Sequence, residues 1–120
     1  MNKPPSIVVV IAHMEGPLKG QVQHFSQAEI TIGRHPSCDI RFPANPPTIS
    51  RKHAKIIRIG NRFRLIDTSS NGTLINSKRV TEAWLKEGDV LTITQGGPQF
   101  GFVTEISATM SELDELEQSS

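Results

Sequence analysis

A single cysteine, Cys38, stands in the 120 residues, so no intramolecular disulfide can form, and a reducing compartment is the natural home. Neither sign of charge is in large excess: 13 basic residues face 12 acidic ones, for a formal net charge of +1. A protein that grips nucleic acid by neutralising its phosphates carries a larger surplus, so nucleic acid is not an expected partner. The longest apolar run, Ile7 to Ala12, is far too short to span a bilayer. Only Lys3 precedes it, and no convincing small-residue cleavage pattern follows, so it does not read as a secretory signal. The expectation is a cytoplasmic protein with no membrane partner.

Groupings that carry metal or covalent chemistry are also missing. His35 and Cys38 lie close together, but His13 and His24 are distant in sequence and no second cysteine completes a ligand set. No metal or other cofactor is expected. Ser50, His53 and Asp67 supply the residue types of a hydrolytic triad, yet there is no Gly-x-Ser-x-Gly elbow. A serine and a histidine three residues apart at the entrance to a strand cannot easily face each other as nucleophile and base. The chain is not expected to be an enzyme.

No stretch of ten or more residues shows a helical apolar period. What is present is a series of short β-like runs separated by turn residues. Ile7–Ile11 is continuously apolar and mostly β-branched, the pattern of a strand buried on both faces. Gln21–Phe25, Glu29–Ile32, Ala54–Ile59, Arg62–Ile66, Asp89–Thr94 and Phe100–Ile106 follow. Gly60-Asn61 and Gln95–Pro98 read as hairpin connections. Many short strands at this spacing predict an all-β, antiparallel sandwich. The acidic residues crowd late: Glu105, Glu112, Asp114, Glu115 and Glu117 leave a moderately basic body before them, which suits an acidic ligand. Residues 1–106 are therefore expected to form one domain, with 107–120 an acidic, disordered tail.

The polar loops carry the functional signal. Gly33 ends a strand and turns the backbone so that Arg34 aims out of the sheet end, where a planar guanidinium can clamp two phosphoryl oxygens. Such a group is expected to be solvated without ligand, so that its loss would leave stability unchanged. Ser50 offers a hydroxyl and Arg51 a second charged donor. His53 starts an apolar-alternating strand, so its expected task is internal: one ring nitrogen holds a loop carbonyl and fixes the shape that presents Ser50. Asn71 has a donor and an acceptor on a short side chain, which suits the main chain of an extended peptide, and Gly72 supplies unusual backbone angles. Asn76, three residues beyond Thr73, is grouped with the same site.

Read in order, the chain carries Gly33-Arg34, Ser50-x-x-His53, Asn71-Gly72-Thr73-x-x-Asn76 and Leu85-x-x-Gly88-Asp89-x-Leu91. From about residue 7 to residue 106 it resembles the forkhead-associated (FHA) family. The resemblance implies a β-sandwich of about eleven strands with ligand loops at one end, and binding of phosphothreonine-containing proteins or peptides. By that similarity Arg34, Ser50 and Arg51 contact phosphate, while Ser70 and Asn71 hold the peptide. Gly33, His53 and Gly72 shape the loops. The implied role is a non-catalytic adaptor in Ser/Thr kinase signalling, or in a secretion apparatus. The alternative is a phosphate-independent interaction module of the same fold. Thr109, three residues before Glu112, is a further expectation: once phosphorylated, it would let the tail fill this groove or that of a second copy.

Overall fold

The β-branched run near the start of the sequence forms the middle of the longest strand, β1 (Ser6–Glu15), where Val9, Val10 and Ile11 are all buried. The computed structural model describes residues 6–44 and 47–107. Ten further strands follow β1 among them: β2 (Val22–Phe25), β3 (Glu29–Gly33), β4 (Ile40–Arg41), β5 (Ala54–Ile59), β6 (Arg62–Asp67), β7 (Thr73–Ile75), β8 (Lys78–Val80), β9 (Glu82–Trp84), β10 (Asp89–Ile93) and β11 (Gln99–Ser107). They form a six-stranded sheet in the order β2-β1-β11-β10-β7-β8 and a five-stranded sheet in the order β4-β3-β5-β6-β9.

Alternation along each strand decides which side chains meet between the sheets. In β3, Ile30 and Ile32 turn inward and Glu29 stays exposed. Ile56 and Leu65 join them from β5 and β6; Leu91, Ile93, Phe100 and Phe102 face them from β10 and β11. Phe42 and Ile49, from the long segment after β4, cap this core from one end. Phe63 and Phe102 meet edge to face across it, centroids 5.6 Å apart.

Two features depart from the sequence expectation. The β3–β4 pair is parallel, Ile32 beside Ile40, so the sandwich is antiparallel with one exception. The expected strand Asp89–Thr94 stops at Ile93, because Thr94 takes a positive φ of 66° and begins the turn. Both expected hairpin connections are present. Thr109 and the expected tail from residue 108 onward lie outside the described residues.

Register gathers the polar loops. Ile32 pairs with Ala54 and Ala54 with Asp67, so the end of β3, the start of β5 and the end of β6 coincide. In the other sheet Thr73, at the start of β7, pairs with Ile93 at the end of β10. The loop from Asp67 to Thr73 runs from the first set to the second, and the Thr94 amide donates to its Gly72 carbonyl (3.1 Å), so that all of these loops share one rim. Truncating the core beneath that rim should be costly: Phe102→Ala is expected to lose about 3–5 kcal/mol of unfolding free energy in urea titration. A loss below about 1 kcal/mol would show that the two sheets do not close over Phe102.

Candidate functional site

The rim is built around one buried imidazole. His53 is 0% exposed. Its Nδ1 accepts the backbone N–H of Ser50 (3.1 Å), and its Nε2 stands 2.8 Å from the Gly72 carbonyl. A backbone amide can only donate and a carbonyl only accept, so the ring is neutral with its hydrogen on Nε2. Burial holds the His53 pKa below its ordinary value, although the Gly72 hydrogen bond and the charge of Asp67 pull the other way. One side chain thus fixes the serine loop and the asparagine loop together.

Ser50 and Arg34 stand side by side. The Arg34 amide donates to the Ser50 carbonyl (3.2 Å), and the Arg34 Nε donates to the carbonyl of Ile49. Arg34 is therefore half-buried and braced, not a solvated side chain as expected from sequence. No ion pair among the described residues includes it. The Ser50 hydroxyl accepts the Ser70 amide (3.1 Å), which leaves its own hydrogen free to donate elsewhere. Asn71 Nδ2 donates to the Thr48 carbonyl (2.9 Å), keeping one N–H and the Oδ1 acceptor for another partner. Arg51 is exposed; its carbonyl is tied down by the His35 amide (3.0 Å).

The two loop glycines answer to space as much as to conformation. A Cβ on Gly33 would lie 2.1 Å from the Arg51 carbonyl oxygen, so the strand end and the serine loop could not approach as they do. Gly72 has φ +92°, and a Cβ there would lie 2.6 Å from the Arg79 Nε. The turn before it is organised by Asp67, whose Oδ1 accepts from the hydroxyls of Ser69 (2.6 Å) and Thr73 (2.9 Å). Ser69 in turn accepts the Gly72 amide (2.8 Å).

Arg34, Ser50, Ser70 and Asn71 come together at this rim; Asn76 does not. It sits at the far end of β7 with φ 50°, where its side chain bridges Asp89 Oδ1 (2.9 Å) and the Val90 amide (2.9 Å). Asn76 is a hairpin lock and is withdrawn from the site. Sequence reasoning missed Thr48 and Ile49, which act through carbonyls that no side-chain pattern reveals. Beside them a cleft of about 410 Å³ opens between Gly16-Pro17, Thr48-Ile49 and the β10–β11 turn.

The arrangement has clear relatives. The FHA domain family model matches residues 30–94. The glycogen accumulation regulator GarA of Mycobacterium tuberculosis is 35% identical over 91 residues, 75% of this chain and 54% of that protein. The chain spans about half the length of the curated relatives it matches first. Mycobacterium tuberculosis EmbR in complex with a low-affinity phosphopeptide is a structural neighbour at TM-score 0.71 and 25% identity, over 85% of this chain and 26% of that one. A domain from a structural and functional analysis of phosphothreonine-dependent FHA domain interactions superposes at TM-score 0.66 with 26% identity, over 85% of this chain and 99% of that one.

His53→Ala removes two buried hydrogen-bond partners at once and is expected to cost about 2–4 kcal/mol in chemical denaturation. Its lowered native pKa sets the sign of the pH dependence. The unfolded histidine takes up a proton near pH 6.5 and the native one only at lower pH. The stability linked to His53 is thus full above about pH 6.5 and falls as pH drops towards the native pKa. Wild-type protein should lose more stability than His53→Ala between pH 7.5 and 5.5; parallel curves would show that His53 is not held neutral.

Proposed function

The chain belongs to the FHA domain family, and from that membership and the geometry of the rim we propose that it is a non-catalytic phosphothreonine-peptide binding module. Its part is that of an adaptor in Ser/Thr kinase signalling. The observation that carries this reading is a braced guanidinium with no acid partner among the described residues, adjacent in space to a serine whose hydroxyl hydrogen has no acceptor among them. A phosphoryl dianion supplies what both groups lack.

In this reading Arg34 and Ser50 take the phosphate oxygens, and exposed Arg51 adds a second positive charge. Asn71 offers its remaining N–H and Oδ1 to the peptide main chain, with Ser70 beside it. Gly33, His53 and Gly72 hold the loops in place before any ligand arrives, which lowers the ordering cost of binding. Three charge-assisted hydrogen bonds at about 1.5–3 kcal/mol each give roughly 5–9 kcal/mol gross. Main-chain contacts add to this and peptide ordering subtracts, for a dissociation constant on the order of micromolar.

The partner is a protein bearing phosphothreonine. The names of its relatives, a glycogen accumulation regulator and an oxoglutarate dehydrogenase inhibitor, are those of proteins that control others, in keeping with an adaptor. Thr109, outside the described residues, is a candidate ligand in cis or from a second copy. Mass spectrometry that finds Thr109 unmodified in cells would remove that possibility.

Calorimetry with matched peptides tests the main reading. The phosphothreonine peptide should bind in the micromolar range and its unphosphorylated twin at least a hundredfold more weakly, about 2.7 kcal/mol. Equal affinity for the two would favour a phosphate-independent module instead. Arg34→Ala should cost at least tenfold in affinity. Because its Nε also braces Ile49, this variant should lose about 1 kcal/mol of stability as well.

A further inference from the structure

The Arg79 side chain leans on the asparagine loop at Gly72. It lies on β8, an edge strand, directly across from Leu74. Its guanidinium does not stay level with Leu74 but reaches back towards the rim. It covers the place where a Cβ on Gly72 would be, with Nε at 2.6 Å and Cζ at 2.9 Å from that point. A side chain at position 72 would take its seat.

Three other arginines of the domain are occupied. Arg58 donates to the Gly60 carbonyl and to Asn61; Arg62 lies over Trp84, 3.9 Å from the ring centroid; Arg64 is paired with Glu82 at 2.5 Å. Arg79 is exposed, and no ion pair among the described residues includes it. Crossing the rim from Arg34 and Ser50, one meets Ser70, then Asn71, then Gly72 with Arg79 upon it. A peptide with its phosphate on the first pair and its main chain on Asn71 has its neighbouring residues next to Arg79.

We propose that Arg79 is a specificity residue of this rim, whose guanidinium takes an acidic side chain flanking the phosphothreonine of the bound peptide. The inference rests on the phosphopeptide reading above. The two can fail separately, since that reading depends on Arg34 and the phosphate, and this one on a carboxylate elsewhere in the peptide.

Fluorescence anisotropy with labelled phosphothreonine peptides that carry Glu or Gln at one flanking position at a time provides the test. Wild-type protein should prefer Glu at one of these positions by about three- to fivefold, the size of a partly exposed ion pair. In Arg79→Gln the Glu peptide should fall to the level of the Gln peptide. Arg79→Glu should reverse the order and favour Lys at that position. Arg79→Lys should keep part of the preference, so that poor folding of one variant does not hide the result. A wild-type protein indifferent to Glu at every flanking position, or an Arg79→Gln variant that keeps the preference, overturns the proposal. Wild-type protein that binds no phosphopeptide at all overturns the parent reading and this one with it.

Discussion

The buried imidazole of His53 is the constraint on which the rim depends. It stands between the loop that joins β4 to β5 within one sheet and the loop that crosses from β6 to β7 in the other, and it satisfies one backbone donor and one backbone acceptor at once. The Ser50 bond requires the neutral ring, since a protonated Nδ1 cannot accept, and burial favours that state. A lysine or arginine in its place would have no acceptor to offer Ser50, and an apolar residue would leave an amide and a carbonyl short of a partner. The Gly72 carbonyl also receives the Thr94 amide, so the β10–β11 turn is drawn into the same arrangement. Affinity for a charged ligand is thus prepared by a group that carries no charge.

Arg34 combines two tasks that pull in different directions. Its Nε is spent on the Ile49 carbonyl, which anchors the serine loop and removes freedom from a long side chain. The ordering cost that a flexible arginine would meet on binding is met in folding instead. Gly33 makes this possible by allowing the Arg51 carbonyl to sit where a side chain would otherwise stand. In the proposed function, fixing the arginine early favours binding of a dianion while holding a half-buried charge that has no ion pair among the described residues, a cost the rest of the sandwich must absorb.

Much of this was legible in the sequence, for definite reasons. Period-two alternation in Glu29–Ile32 and Arg62–Ile66, and the turn chemistry of Gly60-Asn61, identify strands and a hairpin without further help. The site residues were legible as a string of Gly-Arg, Ser-x-x-His and Asn-Gly, and His53 was expected to be internal from the apolar strand that follows it. Strands β4 and β7 to β9 were missed because two or three residues cannot show a period. Asn76 was misplaced because proximity in sequence to Thr73 says nothing of direction: a strand carries the chain from one end of the sandwich to the other. The bracing of Arg34 by Ile49 was invisible, since a carbonyl has no sequence signature. Arg79 was invisible for a related reason, being brought to Gly72 by cross-strand pairing alone.

The distribution of titratable groups at the rim determines how it responds to acid. Arginine carries a permanent charge, so the cationic side of the interaction does not change between neutral and mildly acidic pH. The phosphate of phosphothreonine takes up its second proton near pH 6 and loses about half of its charge advantage there. His53 is held neutral below its ordinary pKa, and its protonation at still lower pH would abolish the acceptor that positions Ser50. Acid therefore acts on both partners, on the ligand by loss of charge and on the receptor, once His53 is protonated, by loss of shape. A rim whose loops were held by a carboxylate and a lysine would lose only the first of these. Using a histidine as the keystone makes the module most competent where both the dianion and the neutral ring persist.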